Sequence, residues 1–170
     1  NTALSWSEEI VLPGGVLLDA LAQTRWSSFL TRQDLRYPNE VTSLGGDLAL
    51  NMRWPLMRSS SAASFDLIEP IAQIAYTHEN DLTLPLEEST HSEFNEGNLI
   101  SLSRYPAFDR HEKNLRWAVG GRWKHHFQNG TELSFSFGRI FRKTPEDDFN
   151  SRSGLRRKSS DLLVSAGFDT

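Results

Sequence analysis

The chain has 170 residues, of which 38% are apolar and 24% charged, with a net charge of -4 and no cysteine. The acidic balance gives no support to a nucleic-acid partner, and the lack of cysteine excludes disulfide scaffolds, cysteine-based zinc sites and thiol nucleophiles. No stretch reaches the roughly 18 consecutive apolar residues of a membrane helix, which excludes a helical membrane protein. A membrane β-barrel alternates apolar and polar residues and is compatible with this composition.

Seven segments in which apolar and polar residues alternate follow one another along the chain. They cover residues 4–12, 16–26, 44–56, 68–76, 115–127, 133–141 and 162–168. A period of two predicts β-strands and not helices. The segments 44–56 and 115–127 are long for soluble strands and are long enough to cross a bilayer.

The connections between these segments alternate between short and long. The short ones are 13–15, 58–64 and the two-residue hairpin signature Asn129-Gly130, whereas 31–42, 79–114 and 143–160 are long. Outer-membrane barrels sort their connections in this way, with tight periplasmic turns and long extracellular loops. The pattern predicts an all-β, antiparallel transmembrane β-barrel segment of about seven up-and-down strands.

Aromatic residues lie near the two ends of the predicted apolar face. With the long loops outside, the outer group is Trp26, Tyr76, Trp117 and Phe141, and the inner group is Trp54, Trp123 and Phe127. Two aromatic belts with aliphatic residues between them are typical of a membrane barrel.

The alternate positions of the predicted strands, which point to the other face, carry charges of both signs. Such charges need water or partners, so we expect this face to line a wide, hydrated lumen. Its candidate lumen-facing residues are Asp47, Arg53, Glu69, Arg116, Arg122 and Lys124. A bacterial barrel needs an even number of at least eight strands, and an open sheet in lipid leaves backbone groups unpaired. We therefore expect residues 1–170 to be one partial domain, an arc of a larger barrel.

The stretch from about residue 67 to 138 resembles the LPS-assembly protein family LptD, also called organic solvent tolerance protein, in its C-terminal barrel domain. The resemblance lies in residues 68–73, 93–99, 103–110 and 120–122. The sequence departs from the family pattern at Asn95, where Asp is common, and at Ala107, where Gly is usual. The motif residues in the long loop are Glu93, Phe94, Asn98, Leu99, Arg104, Asp109 and Arg110.

The resemblance implies a transport role in the Gram-negative outer membrane. Members of the family deliver lipopolysaccharide to the outer leaflet and pair with an LptE-type lipoprotein where one is present. Outer-membrane lipids would be the remaining partners, no cofactor is implied, and an enzyme is not expected. The family's periplasmic jellyroll and lateral gate are not recognisable in this sequence.

Candidate chemical sites are sparse. Arg139 interrupts the apolar parity near an outer strand end, where it would contact a lipid A phosphate or simply extend to the interface. His125 and His126 are adjacent, so they point to opposite faces of a strand and cannot bind one metal together. No catalytic or metal-binding grouping can be read from the sequence, although distant residues could converge.

Two alternatives to an export barrel remain open at this point. An outer-membrane barrel enzyme would need nucleophilic or acid–base side chains that converge at one rim. A soluble β-sandwich binding module would fold in buffer without detergent.

The long loop 79–114 also carries apolar residues, among them Leu99, Tyr105 and Phe108, so we expect part of it to pack against the strands.

Overall fold

The computed structural model describes residues 2–30, 40–61, 64–80, 92–106 and 110–170. Predicted features on the other residues, including Phe108 and the motif residue Asp109, lie outside the described residues. Among the described residues, no helix is long and apolar enough to cross a membrane. The strands are β1 (Thr2–Leu12), β2 (Val16–Leu30), β3 (Glu40–Arg53), β4 (Leu56–Ser61), β5 (Ser64–Glu79), β6 (Asn114–His126), β7 (Glu132–Arg142) and β8 (Leu163–Asp169).

All described strands belong to one antiparallel sheet. Its order is β1-β2-β3-β5-β6-β7-β8, and β4 pairs with β5 beyond the end of β3. Every predicted alternating segment falls within or across these strands, so the antiparallel all-β prediction is confirmed. In the described part of the chain β1 and β8 are the two edges, and the sheet is open.

The third predicted strand is divided in two. β3 ends at Arg53 and β4 begins at Leu56, because Pro55 has no N–H to place in the ladder. Pairing with β5 continues across the break, since the Trp54 N–H donates to the carbonyl of Pro70 at 3.1 Å. In the described part of the chain the sheet thus has eight strands and not seven, and residues 58–61, predicted as part of a connection, belong to β4.

The predicted two-residue hairpin at Asn129-Gly130 is also longer than expected. β6 ends at His126 and β7 begins at Glu132, and the last bond across the turn runs from Phe127 N to Thr131 O at 2.9 Å. Gly130 alone takes the left-handed conformation, with φ of 89°. Asn129 instead accepts a side-chain hydrogen bond from the Thr131 N–H at 3.1 Å. Its side-chain oxygen fixes the turn, so the residue does not need a positive φ.

Alternation gives the sheet an apolar face and a polar face. Large apolar side chains on the apolar face are exposed, among them Leu44, Leu48, Leu50, Ile68, Ile74, Tyr76, Trp117, Val119, Phe135 and Phe137. The hydrophobic core lies on the other side, where two loops cover the polar face. It consists of Leu99, Tyr105, Ala118, Ile140, Phe149 and Leu155. A β-sandwich would cover the apolar face with a second sheet, and the described strands form only one.

Candidate functional site

We call the end of the sheet with the short turns 13–15 and 127–131 the inner end, and the end with the long loops the outer end. The inner half of the polar face carries a set of charged pairs. Glu69 on β5 lies 3.9 Å from Arg53 on β3 and 3.5 Å from Arg122 on β6. Further inward, Lys124 on β6 and Glu132 on β7 are 2.7 Å apart. These side chains keep part of their surface exposed, so this half of the face is open and polar.

The outer half of the same face is a buried polar ladder. Arg25 on β2 lies 3.3 Å from Asp47 on β3, and Asp47 accepts a hydrogen bond from the Thr77 hydroxyl at 2.7 Å. The Thr77 oxygen accepts in turn from Arg116 on β6 at 2.9 Å. The ladder crosses four paired strands. Asp47 and Arg116 are only 3% and 1% exposed, so this end of the polar face is covered, whereas the sequence predicted a wide, hydrated lumen.

Glu112 joins this ladder to the loops. One of its carboxylate oxygens accepts from the backbone N–H and the guanidinium of Arg104, at 2.9 and 3.2 Å. The other accepts from two nitrogens of Arg142, at 2.9 and 2.8 Å. The backbone carbonyl of Glu112 accepts from Arg116 at 3.2 Å. Burial alone would raise the pKa of Glu112, but the charges of Arg104, Arg142 and Arg116 outweigh it and lower that pKa.

The motif loop, residues 92–106 and 110–113, is ordered by asparagines at a short 3₁₀ helix, Glu96–Asn98. The Asn95 side chain accepts from the N–H groups of Gly97 and Asn98, at 3.0 and 3.2 Å. The Asn98 side chain accepts from the Asn95 N–H at 3.0 Å and donates to the Glu93 carbonyl at 2.6 Å. Both halves of a capping box are therefore present. The departure from the family pattern at Asn95 keeps the acceptor oxygen that this cap needs.

Leu99 anchors the motif loop to the polar face. Its side chain lies over Gly120 on β6 and Gly138 on β7, which are paired in register. A Cβ atom at Gly138 would lie 2.5 Å from a Leu99 methyl, and one at Gly120 would lie 2.7 Å from it. The Leu99 side chain fills the space that the missing side chains of these two glycines leave, and we call this space the glycine socket. A side chain at either position would occupy it. The loop's Ile100 carbonyl also accepts from Gln73 on β5 at 2.6 Å.

The second loop, residues 143–162, packs against the motif loop, and together they form the outer cap. The rings of Tyr105 and Phe149 stack with centroids 4.2 Å apart, and the Arg142 guanidinium lies 5.3 Å from the Phe149 ring. Arg110 pairs with Asp148 at 3.1 Å. Burial raises the pKa of Glu146 to about 7, assisted by the charges of Glu112 and Asp148 and opposed by the hydrogen bond from Lys113 N–H.

A sequence comparison identifies the family. The whole chain, residues 1–170, matches the family described as LptD, LPS transport system D. The chain belongs to the LptD family. A search of the curated proteins found no match. Membership of this family indicates involvement in LPS transport, and the match extends beyond the stretch in which the motif residues lie.

The structure brings most of the predicted LptD motif residues together. Arg139, the predicted contact for a lipid A phosphate, lies away from them. Glu93, Phe94, Asn98, Leu99, Arg104 and Arg110 lie in the outer cap, while Asp109 lies outside the described residues. Arg139 lies on the apolar face, where its Nε donates to the Ser160 carbonyl at 2.9 Å and its guanidinium is 5.9 Å from the Phe141 ring. The packing of the motif loop, predicted from its apolar residues, is confirmed for Leu99 and Tyr105.

The sequence reasoning missed Glu112 and the second loop. Glu112 is fully buried, yet nothing in the sequence distinguishes it from the neighbouring charged loop residues. Phe149 and Leu155 gave a usable signal, because two large apolar residues in an otherwise polar loop indicate packing. In the part of the chain that the structure describes, no group of three or more His, Asp or Glu residues could hold a metal ion.

Proposed function

We propose that this LptD-family chain is an arc of an outer-membrane β-barrel that takes part in delivering lipopolysaccharide to the outer leaflet. The apolar face contacts membrane lipid, the polar face lines the lumen, and the outer cap closes the lumen on the extracellular side. The open edges at β1 and β8 pair with further strands of the same barrel. The single observation that carries the proposal is that the sheet exposes its apolar face and covers its polar face with its own long loops.

The dimensions of the apolar face support this placement. Trp117 and Phe127 are ten residues apart on the same side of one strand and its end. Ten residues of antiparallel strand measure about 34 Å, which at a tilt of about 40° gives an apolar band about 25 Å high. Trp117 stacks on Phe141 of the next strand with centroids 6.0 Å apart, as neighbours in an aromatic belt would.

The loops support the assignment of the outer side. The outer cap lies at the end of the sheet where β5 and β7 finish and β6 starts. The short turns 13–15 and 127–131 lie at the opposite end. A lumen closed outside and open inside suits transport that begins in the periplasm. The exposed charges of Arg53, Glu69, Arg122 and Lys124 would then face hydrated space or a plugging partner.

The partners of this arc would be lipopolysaccharide, membrane lipids and an LptE-type lipoprotein. The lipoprotein would occupy the inner half of the polar face, because the outer half is already filled by the outer cap. Arg139 would contribute to contact with lipid A phosphate, since the Ser160 carbonyl uses one of its five N–H donors and Arg binds phosphate through several. The arc would need no cofactor, and its role in transport would not be enzymatic.

Depletion of the intact protein from its own cells tests this function. We expect lipopolysaccharide to disappear from the cell surface and to accumulate inside, and the outer membrane to become permeable to large hydrophobic dyes. Re-expression of the intact protein should restore all three properties. Normal surface lipopolysaccharide in depleted cells would contradict the proposal.

A further inference from the structure

Three side chains that the transport role does not use meet at the inner end of the apolar face. The Nδ1 of His125 on β6 lies 2.8 Å from the carboxylate of Asp66 on β5. Its Nε2 lies 3.5 Å from the hydroxyl of Ser64. A serine, a histidine and an aspartate are thus connected through the two nitrogens of one imidazole, in the order of a nucleophilic triad.

The register of the sheet produces this arrangement. Asp66 is directly opposite His125 in the β5–β6 ladder. Ser64 precedes Asp66 by two residues, so it lies on the same face, one position further along β5. One strand therefore presents the serine and the aspartate, and the neighbouring strand places the imidazole between them.

The surroundings fix the imidazole and the carboxylate. The indole N–H of Trp123 donates to the same Asp66 oxygen at 3.2 Å, and the ring of Phe127 meets the His125 ring edge-on with centroids 4.3 Å apart. The His125 and Asp66 side chains are 19% and 26% exposed. Arg58 on β4 lies opposite Asp66 in register. It brings a positive charge to the same face.

We propose that Ser64, His125 and Asp66 form a hydrolytic site for the acyl esters of membrane lipids. The proposal rests on the proposed function, because only the membrane placement of the apolar face brings lipid esters to this position. At the inner end of an aromatic belt, the ester groups of a lipid lie at the height of these side chains, and its acyl chains lie along the apolar face.

The reaction would proceed in two balanced steps. Asp66 accepts the Nδ1–H of His125, so Nε2 is free of its proton and takes the proton of the Ser64 hydroxyl as the oxygen attacks the ester carbonyl. The oxyanion would be stabilised by the Arg58 charge. The carbon–oxygen bond to the alcohol then breaks, the alcohol leaves with the proton from His125, and the acyl group stays on Ser64. Water, deprotonated by His125, then attacks the acyl carbonyl carbon. The bond to the Ser64 oxygen breaks, His125 returns the proton to that oxygen, and a fatty acid leaves.

A fluorophosphonate probe tests this site on the intact protein in native outer membranes. We expect the probe to label Ser64, and the membranes to release fatty acid from added lipid. Labelling should vanish in Ser64→Ala and His125→Gln, and hydrolysis should fall about 100-fold or more, as when a triad member is removed. Separate assays with glycerophospholipid and with lipid A distinguish the two sources of the ester.

The control is Ser134→Ala, at the same end of the sheet but on the polar face, which should keep labelling and hydrolysis. Ser64→Cys retains a nucleophile of similar size and should exchange fluorophosphonate labelling for labelling by a thiol reagent. Unlabelled Ser64 in protein that is folded in the membrane, or undiminished hydrolysis in Ser64→Ala, would overturn the proposal. Failure of the transport role is read separately, as normal surface lipopolysaccharide after depletion.

Discussion

The side chain of Glu112 links the motif loop to β7 beneath the outer cap. It is fully buried and accepts hydrogen bonds from Arg104 and Arg142. Removal of one partner from a buried ion pair leaves an uncompensated charge and costs about 3–5 kcal/mol. Glu112→Gln should therefore release the outer cap from the sheet, measured as faster proteolysis within residues 143–162 of the protein in detergent.

The matched control is Glu96→Gln, in the same loop, whose side chain is exposed. It should leave the proteolysis rate within about twofold of the parent, because exposed charges contribute about 1 kcal/mol or less. Equal rates for Glu112→Gln and the parent would show that the outer cap does not depend on this carboxylate.

Glu146 makes the stability of the second loop depend on pH. Its pKa is about 7 in the folded cap against 4.5 in an unfolded loop, because it is buried near Glu112 and Asp148. As pH rises, the unfolded loop loses its proton first, so the cap is most stable below about 4.5 and loses stability until about 7. Proteolysis of the second loop should thus be faster at pH 8 than at pH 5 with a protease active at both. Glu146→Gln should remove the difference, and an equal difference in the variant would contradict this assignment.

The sequence predicts which face of the sheet a residue occupies only where apolar and polar residues alternate. Parity alone placed Asp47 and Arg116 on the same side of the sheet, and the structure brings them together through Thr77. Glu112 lies in a loop without a period, and its burial depends on how that loop folds onto the sheet, where Arg104, Arg116 and the distant Arg142 surround it. The contact of Ser64 with His125 likewise depends on the β5–β6 register, which no local pattern specifies.

At the scale of the elements, the glycine socket controls how the motif loop docks. Gly138→Ala places a Cβ within 2.5 Å of Leu99, so the loop must shift, at a cost of about 1–3 kcal/mol for overpacking. Proteolysis within residues 92–106 should become faster. Gly46→Ala on β3 is the control, because its Cβ meets only the Gln23 carbonyl, at 3.8 Å.

A double-mutant cycle shows whether Leu99 itself causes the effect. Leu99→Ala also destabilises the loop, since it empties part of the core, but it frees the space that the new Cβ needs. The combined variant should then be more stable than the sum of the two single effects by about 0.5 kcal/mol or more. Simple additivity would show that Gly138 acts through another contact.

The strands themselves were predictable because apolar and polar residues alternate along each of them. The pattern continued unbroken through Pro55, however, so it could not show that β3 ends before it and β4 starts after it. Turn residues were similarly ambiguous at Asn129-Gly130, where the asparagine oxygen makes a hydrogen bond that replaces a second positive φ. Local chemistry fixed where a strand is interrupted, whereas the period fixed only which face each residue occupies.

At the scale of the whole molecule, the two faces of the sheet should respond oppositely to a charge. Val164 and Ser165 are adjacent on β8, Val164 exposed on the apolar face and Ser165 on the polar face. Val164→Arg should lower the stability of the membrane-inserted protein by about 2–4 kcal/mol, and Ser165→Arg should have little effect. Heat-modifiable gel mobility after unfolding in urea measures both. Equal effects would contradict the assignment of the apolar face to lipid.

The most direct test of the barrel arc is the accessibility of its two ends in intact cells. Residues 1–170 contain no cysteine, so single cysteines introduced at Arg152 in the second loop and at Asn129 in the short turn add new thiols, and labelling is compared with that of the parent protein. A membrane-impermeant maleimide should label Arg152→Cys in intact cells, and should label Asn129→Cys only after the outer membrane is opened. Labelling of both positions in intact cells, or of Asn129→Cys alone, would contradict an arc that crosses the outer membrane with its long loops outside.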